Sequence, residues 1–257
     1  MTSGSVADTR VAVCFHGLIG GRAGKDGRGG QLNPWLSGEF AQLNLLKPNP
    51  ADAFVHTWTR GLDHDLENIY QPKGLQIDPP LAPRETNRTL PLCHQLWRIQ
   101  GSRGMRKLSA RHRAISRFTS ATRCLQLVLR HEADFGVSYD RVLFARLDVA
   151  YLRPLEFWRH RSDSAYVSHW NRAPGAGSEQ VVEENLNAEW GCLDFWISVP
   201  RSSAVVFAAK ALDLSLAGLN PHRATFQALA ATGLRLRYEG YRGLDVEMMR
   251  RLLGAAE

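Results

Sequence analysis

Three short apolar, β-branched runs constrain this chain more than any other feature: 10–16 (RVAVCFH), 53–58 (AFVHTW) and 141–150 (RVLFARLDVA). Runs of this kind are the pattern of strands buried in a parallel sheet. Between the first two, Trp35, Phe40, Leu43 and Leu46 follow Pro34 at near-helical spacing, until Asn49-Pro50 breaks the pattern. Strand, helix and strand make a βαβ unit, hence parallel pairing with right-handed crossovers. At 257 residues the expectation is a single α/β domain over 1–257, with a mostly parallel central sheet flanked by helices.

The rest of the chain fits around that frame. Residues 17–30 hold seven glycines with Arg22, Lys25, Asp26 and Arg28, which reads as a loop. Five prolines in 70–92 make that stretch extended, with one short strand at 75–77. The basic run 98–113 reads as a surface loop feeding a helix. Over 116–135 the residues Phe118, Ala121, Leu125, Leu129 and Ala133 mark an amphipathic helix, stopped by Gly136. Strands follow at 165–170 and 193–199, separated by a loop over 172–189. Helices are expected at 202–216, 224–231 and 245–253, with 234–238 extended.

The formal charge of +7, from 32 basic against 25 acidic side chains, favours a negative partner without naming one. Four cysteines far apart, with no CxxC pair, suggest neither a zinc site nor a disulfide framework. No signal-peptide pattern opens the chain, and no run of about 18 apolar residues follows. The expectation is a cytoplasmic protein with no transmembrane segment; the basic charge leaves peripheral membrane association open. Asn87-Arg88-Thr89 is a formal glycosylation sequon.

Ligands of open α/β sheets bind at the carboxyl ends of strands, so residues there are the first candidates. These are His16-Gly17, His56-Thr57-Trp58 and Arg146-Leu147-Asp148. A carboxylate in so apolar a run needs a partner. Asp148 therefore forms an internal salt bridge with Arg146 on the same face, or holds a divalent metal or a ribose hydroxyl. Walker and dinucleotide glycine patterns fail on spacing, at Ile19 and Leu32 respectively. The basic positions 98–123, ending in Arg117 and Arg123, are a solvated face or phosphate contacts. Ser116 and Ser120, near the start of the expected helix, are anion-site or capping candidates. Asp194, in GCLDFWIS, caps a turn, serves as a general base for an acceptor hydroxyl, or positions that hydroxyl. His222 and the scattered histidines lack metal-ligand spacing and read mostly as surface residues.

The segment 116–155 resembles one that recurs in bacterial and viral glycosyltransferases of the GT-A type, especially uncharacterised capsule or surface-glycan enzymes. The matching pieces are Ser116 to Ser120, Tyr139-Asp140, Arg146-Leu147-Asp148 and Arg153-Pro154-Leu155, joined in order by RVAVCFHG and DAFVHTW upstream and GCLDFWIS downstream. The resemblance implies a GT-A (Rossmann-related) domain whose part 10–155 binds a nucleoside diphosphate-sugar donor and whose part 156–257 serves acceptor and catalysis. It implies transfer of the sugar to a hydroxyl of a glycan or other acceptor. His16, Gly17, Thr57, Trp58, Ser116, Ser120, Arg123, Arg146 and Asp148 would then lie about the donor, with Asp194 as base. A DxD motif in that family binds Mn²⁺ or Mg²⁺; here Arg146 replaces the first Asp, which leaves Asp148 as the expected metal residue and puts metal dependence in question. The rival readings are a basic nucleic-acid-binding protein, disfavoured for want of a motif, and an inactive GT-A-like binding module.

Overall fold

The apolar runs become the middle of a sheet. The computed structural model describes residues 9–19, 34–81, 101–172, 191–242 and 245–249. Its strands are β1 (Val11–Gly17), β2 (Ala51–Thr57), β3 (Gly74–Ile77), β4 (Arg141–Arg146), β5 (Val149–Tyr151), β6 (Ser164–Arg172), β7 (Leu193–Pro200), β8 (Arg235–Arg242) and β9 (Val246–Met248). Among the described residues they form one sheet in the order β3-β2-β1-β4-β7-β6-β8-β9-β5. The pairings within β3-β2-β1-β4 are parallel, as are β6 with β8 and β8 with β9. Strand β7 runs against β4 and β6, and β5 against β9. The mostly parallel α/β sheet expected from the sequence is therefore present.

The helices are α1 (Pro34–Ala41), running on into a π-helical turn at Gln42–Leu46, then α2 (Asp63–Tyr70), α3 (Gly101–Phe135), α4 (Arg201–Leu216) and α5 (Pro221–Ala230). Side chains alternate along each strand. Val11, Val13 and Phe15 enter a core with Leu45, Leu66 and Ile69. Ala12 and Cys14 enter a second one with Phe118, Ala121 and Leu125 of α3 and Phe207 and Ala211 of α4. Both faces are covered, which is why the middles of these strands, 11–15, 53–55 and 142–145, are apolar without alternation.

Several elements differ from expectation. Helix α3 begins at Gly101, so the basic run is helical where a loop was expected. Its buried stripe, Leu108, Arg111, Ile115 and Phe118, has helical spacing, but Arg111 conceals the period. The Arg111 stem lies in the core while its Nη2 donates to the Leu216 carbonyl at the end of α4, at 2.9 Å. The run 141–150 is two strands, because a turn at Leu147 and Asp148 separates β4 from β5. Residues 246–248 form β9 where a helix over 245–253 was expected: the edge strand β5 pairs with them, and Val246 and Met248 fill the first core. Helix α2 lies where the sequence pattern gave no element. Asp63 and Asp65 suit its N-terminus, and Leu66, Ile69 and Tyr70 are its buried side. Most of the glycine loop, with Arg22, Lys25 and Arg28, and most of the loop over 172–189 lie outside the described residues, as does the sequon.

Because β7 is antiparallel to β4, its first residues lie at the edge where β1, β2 and β4 end. Gly191 docks α5 there. Its φ is +88°, and a Cβ would stand 2.2 Å from the carbonyl oxygen of His222. Gly191→Ala is expected to cost on the order of 2 kcal/mol through backbone strain, lowering the melting temperature by roughly 4–8 °C. A wild-type melt in that variant would contradict this docking.

Candidate functional site

At the carboxyl edge, on the face covered by α3, the register sets Gln76, His56, His16 and Arg146 in one row across β3, β2, β1 and β4. Arg117, Ser120 and Arg123 of α3 recur every three residues, so one helix side delivers all three to that row. Ser120 ties the layers together. Its Oγ accepts from the Gly17 N–H at 2.9 Å and lies 2.7 Å from His56 Nδ1. The other ring nitrogen, His56 Nε2, is 2.9 Å from Asp78 Oδ2, which also pairs with Arg123 and accepts from Gln76 Nε2 at 2.9 Å. The Arg123 guanidinium lies 5.0 Å from the centre of the Trp58 ring, and the Trp58 ring lies 4.8 Å from that of His56.

The expected residues Gly17, Thr57, Trp58, Ser120 and Arg123 are thus brought together, but largely to hold one another. Thr57 Oγ1 donates to the Gly17 carbonyl at 2.8 Å. The expectation that Ser116 and Ser120 flank a helix N-terminus is corrected: α3 starts fifteen residues before Ser116, so their amides are spent within the helix. Ser116 is half-buried.

Next along the row is a cluster of charge. The turn after β4 folds Asp148 back onto Arg146, giving a bidentate pair, Nε to Oδ1 at 2.7 Å and Nη2 to Oδ2 at 2.6 Å. Arg146 Nη1 reaches Asp194 Oδ1 at 3.4 Å, and Arg117 pairs with the same carboxylate. His222, from the first turn of α5, places Nδ1 3.4 Å from Asp194 Oδ1 and 3.1 Å from the Cys192 carbonyl. Burial lowers the Arg117 pKa well below its usual value, with Arg146 adding to the effect. At Arg146 burial also opposes the charge, but Asp148 outweighs it and the pKa is raised.

His16 lies among these groups, 1% exposed, and neither ring nitrogen has a hydrogen-bond partner among the described residues. Burial, then Arg117 and Arg146, hold its pKa well below the ordinary histidine value. It is a neutral imidazole with a donor and an acceptor to offer.

These side chains do not fit a divalent metal. Both oxygens of Asp148 are engaged by Arg146, and among the described residues no group of three or more His, Cys, Asp or Glu side chains is placed to hold one.

Asp78 and His222 belong to these clusters although sequence reasoning passes them over, and Arg117 is named there only as one of the basic positions that are a solvated face or phosphate contacts. Asp78 carries the signal of a carboxylate just past a strand, masked by the prolines after it. Arg117 reads as one more residue of a basic face, yet its side chain points inward. His222 reads as surface because its partners at 192 and 194 are remote in sequence.

No family model and no curated protein matches this chain. Among solved structures, the nucleoside-diphosphate-sugar pyrophosphorylase from Vibrio cholerae RC9 is similar over 93% of this chain and 95% of its own, with 13% identity and a TM-score of 0.45. That likeness is too distant to bear on function. No helix of the described residues is long and apolar enough to cross a membrane.

Removing the Ser120 hydroxyl strands the Gly17 N–H and His56 Nδ1 in a buried place. Ser120→Ala should therefore cost about 1–3 kcal/mol in urea denaturation, and Ser116→Ala less than about 0.5 kcal/mol. Equal effects would show that Ser120 does not tie these layers.

Proposed function

We propose that this chain is a glycosyltransferase that moves a sugar from a nucleoside diphosphate-sugar to a hydroxyl of a glycan or other acceptor. The observation that carries the reading is the convergence of two inward-facing guanidiniums, Arg146 and Arg117, at the carboxyl edge of a parallel sheet, around His16, whose ring nitrogens have no hydrogen-bond partner among the described residues. Ligands of such sheets bind at that edge, and guanidiniums suit phosphate oxygens. The order of sequence pieces resembling GT-A enzymes agrees with it.

In this reading the donor diphosphate lies against Arg146 and Arg117, and the part 10–155 forms the donor side while 156–257 meets the acceptor. The acceptor oxygen bonds to the anomeric carbon as the bond from that carbon to the diphosphate oxygen breaks, and its electron pair leaves with the diphosphate. The charge that develops there is met by the guanidiniums, which the carboxylates hold in place beforehand. No metal is assigned, because Asp148 serves Arg146. Asp194 suits an orienting role: it is 2% exposed and its two carboxylate oxygens face the two guanidiniums. The nucleic-acid reading loses part of its ground, since Arg111 and Arg117 of the basic run turn inward and Arg123 is paired with Asp78.

A thermal-shift panel of UDP-, GDP-, dTDP- and CMP-sugars in EDTA, and again with Mn²⁺, tests this. The expectation is stabilisation by at least one diphosphate sugar, present in EDTA and reduced in Asp148→Asn, which itself remains folded. Stabilisation by none would overturn the reading, and binding without sugar transfer would favour the inactive module.

A further inference from the structure

Asp194, the acid expected to take the acceptor's proton, is nearly sealed from solvent, whereas the imidazole against it is not. The His222 side chain is 30% exposed. Two acceptors, the Cys192 carbonyl and the Asp194 carboxylate, converge on its Nδ1. A carbonyl oxygen can only accept, so Nδ1 carries the hydrogen and Nε2 of the neutral ring carries the lone pair. We infer that His222, held in this tautomer by Asp194 and Cys192, is the general base that removes the proton from the acceptor hydroxyl. The inference rests on the glycosyltransferase reading and names the proton acceptor of that same site.

The step balances. As the acceptor oxygen bonds to the anomeric carbon, its proton passes to Nε2, and the electron pair of the broken bond leaves on the nucleoside diphosphate. The imidazolium so formed faces Asp194, which stabilises it across Nδ1–H, and it returns its proton to solvent after product release.

The charged and titratable groups around the ring act together. Burial, then Arg117 and also Arg146, lower the His222 pKa to about 4, so the ring is neutral before the donor binds. The hydrogen bond to the Cys192 carbonyl opposes this, and the Cys192 thiol, pushed up to about 12 by burial, stays uncharged. Arg223 follows on α5 and is exposed. A diphosphate lying on Arg117 and Arg146 offsets their repulsion, so the imidazole becomes a stronger base once the donor is in place. Gly191 sets the geometry, because only a residue without Cβ lets the start of β7 approach the His222 carbonyl so closely.

Two measurements test this on the full chain. Long-range ¹H–¹⁵N correlation of the imidazoles, with His222→Gln for assignment, should show His222 neutral and protonated on Nδ1 at pH 7, with its titration moved upward by UDP or GDP. An Nε2–H tautomer, or a charged ring at pH 7, would overturn the assignment without touching the donor reading. With whichever nucleotide sugar stabilises the wild type, His222→Gln should lower kcat by about a hundredfold or more while keeping the donor's thermal shift. Turnover within about threefold of wild type would overturn the role, as would loss of the donor shift, which would make His222 a binding residue. If no nucleotide sugar stabilises the wild type, the donor reading falls and this role falls with it.

Discussion

A guanidinium withdrawn from water must be met by opposite charge or by a full set of acceptors, and this protein meets the requirement in two ways. At the amino end of β4, Arg141 is 2% exposed and uses only neutral partners: Ser198 Oγ at 3.1 Å and the carbonyls of Arg161 and Ser164 at 2.8 and 2.9 Å. Burial lowers its pKa to about 10. At the carboxyl end of the same strand, Arg146 is met by carboxylates. One guanidinium is held by neutral acceptors; the other is held by the charge of Asp148 and Asp194.

The carboxyl-edge cluster depends on the whole sheet. Arg146 is placed by β4, Asp148 by the turn into β5, Asp194 by the reversed strand β7, Arg117 by the long helix α3, and His222 by the docking of α5 on Gly191. The reversal of β7 matters most, because it brings the start of a strand distant in sequence to the edge where the parallel strands end. The Ser120 hydroxyl and the His56–Asp78–Arg123 chain hold α3 on the same edge from the other side. Ion pairs here fix charged groups relative to one another, and the two apolar cores supply the burial that keeps the arrangement stable.

How much of this was legible in the sequence follows from what each element owes to local pattern. Strands β1, β2 and β4 are readable because burial on both faces leaves an unbroken apolar run. The second half of α3 is readable from its stripe; the first half is not, because Arg111 occupies a core position that only its contact with Leu216 explains. Strand β9 owes its conformation to pairing with β5, which no local propensity announces. The meeting of Arg146 with Asp148 is local and was one of two readings of that pair. The joining of Asp194 to Arg117 and His222 depends on tertiary packing, and so does the chain from Ser120 through His56 to Asp78.

The central claim is that guanidiniums, with Arg146 foremost, take the place of a metal in receiving a donor diphosphate. Calorimetric titration of UDP and GDP in EDTA into the wild type and into a cooperatively folded Arg146→Gln variant tests it most directly. The account predicts that at least one of the two binds the wild type without metal, and that the variant binds it about tenfold or more weakly, as loss of a charged hydrogen-bonding partner requires. Binding that appears only when a divalent metal is added, or that Arg146→Gln leaves unchanged, would contradict it.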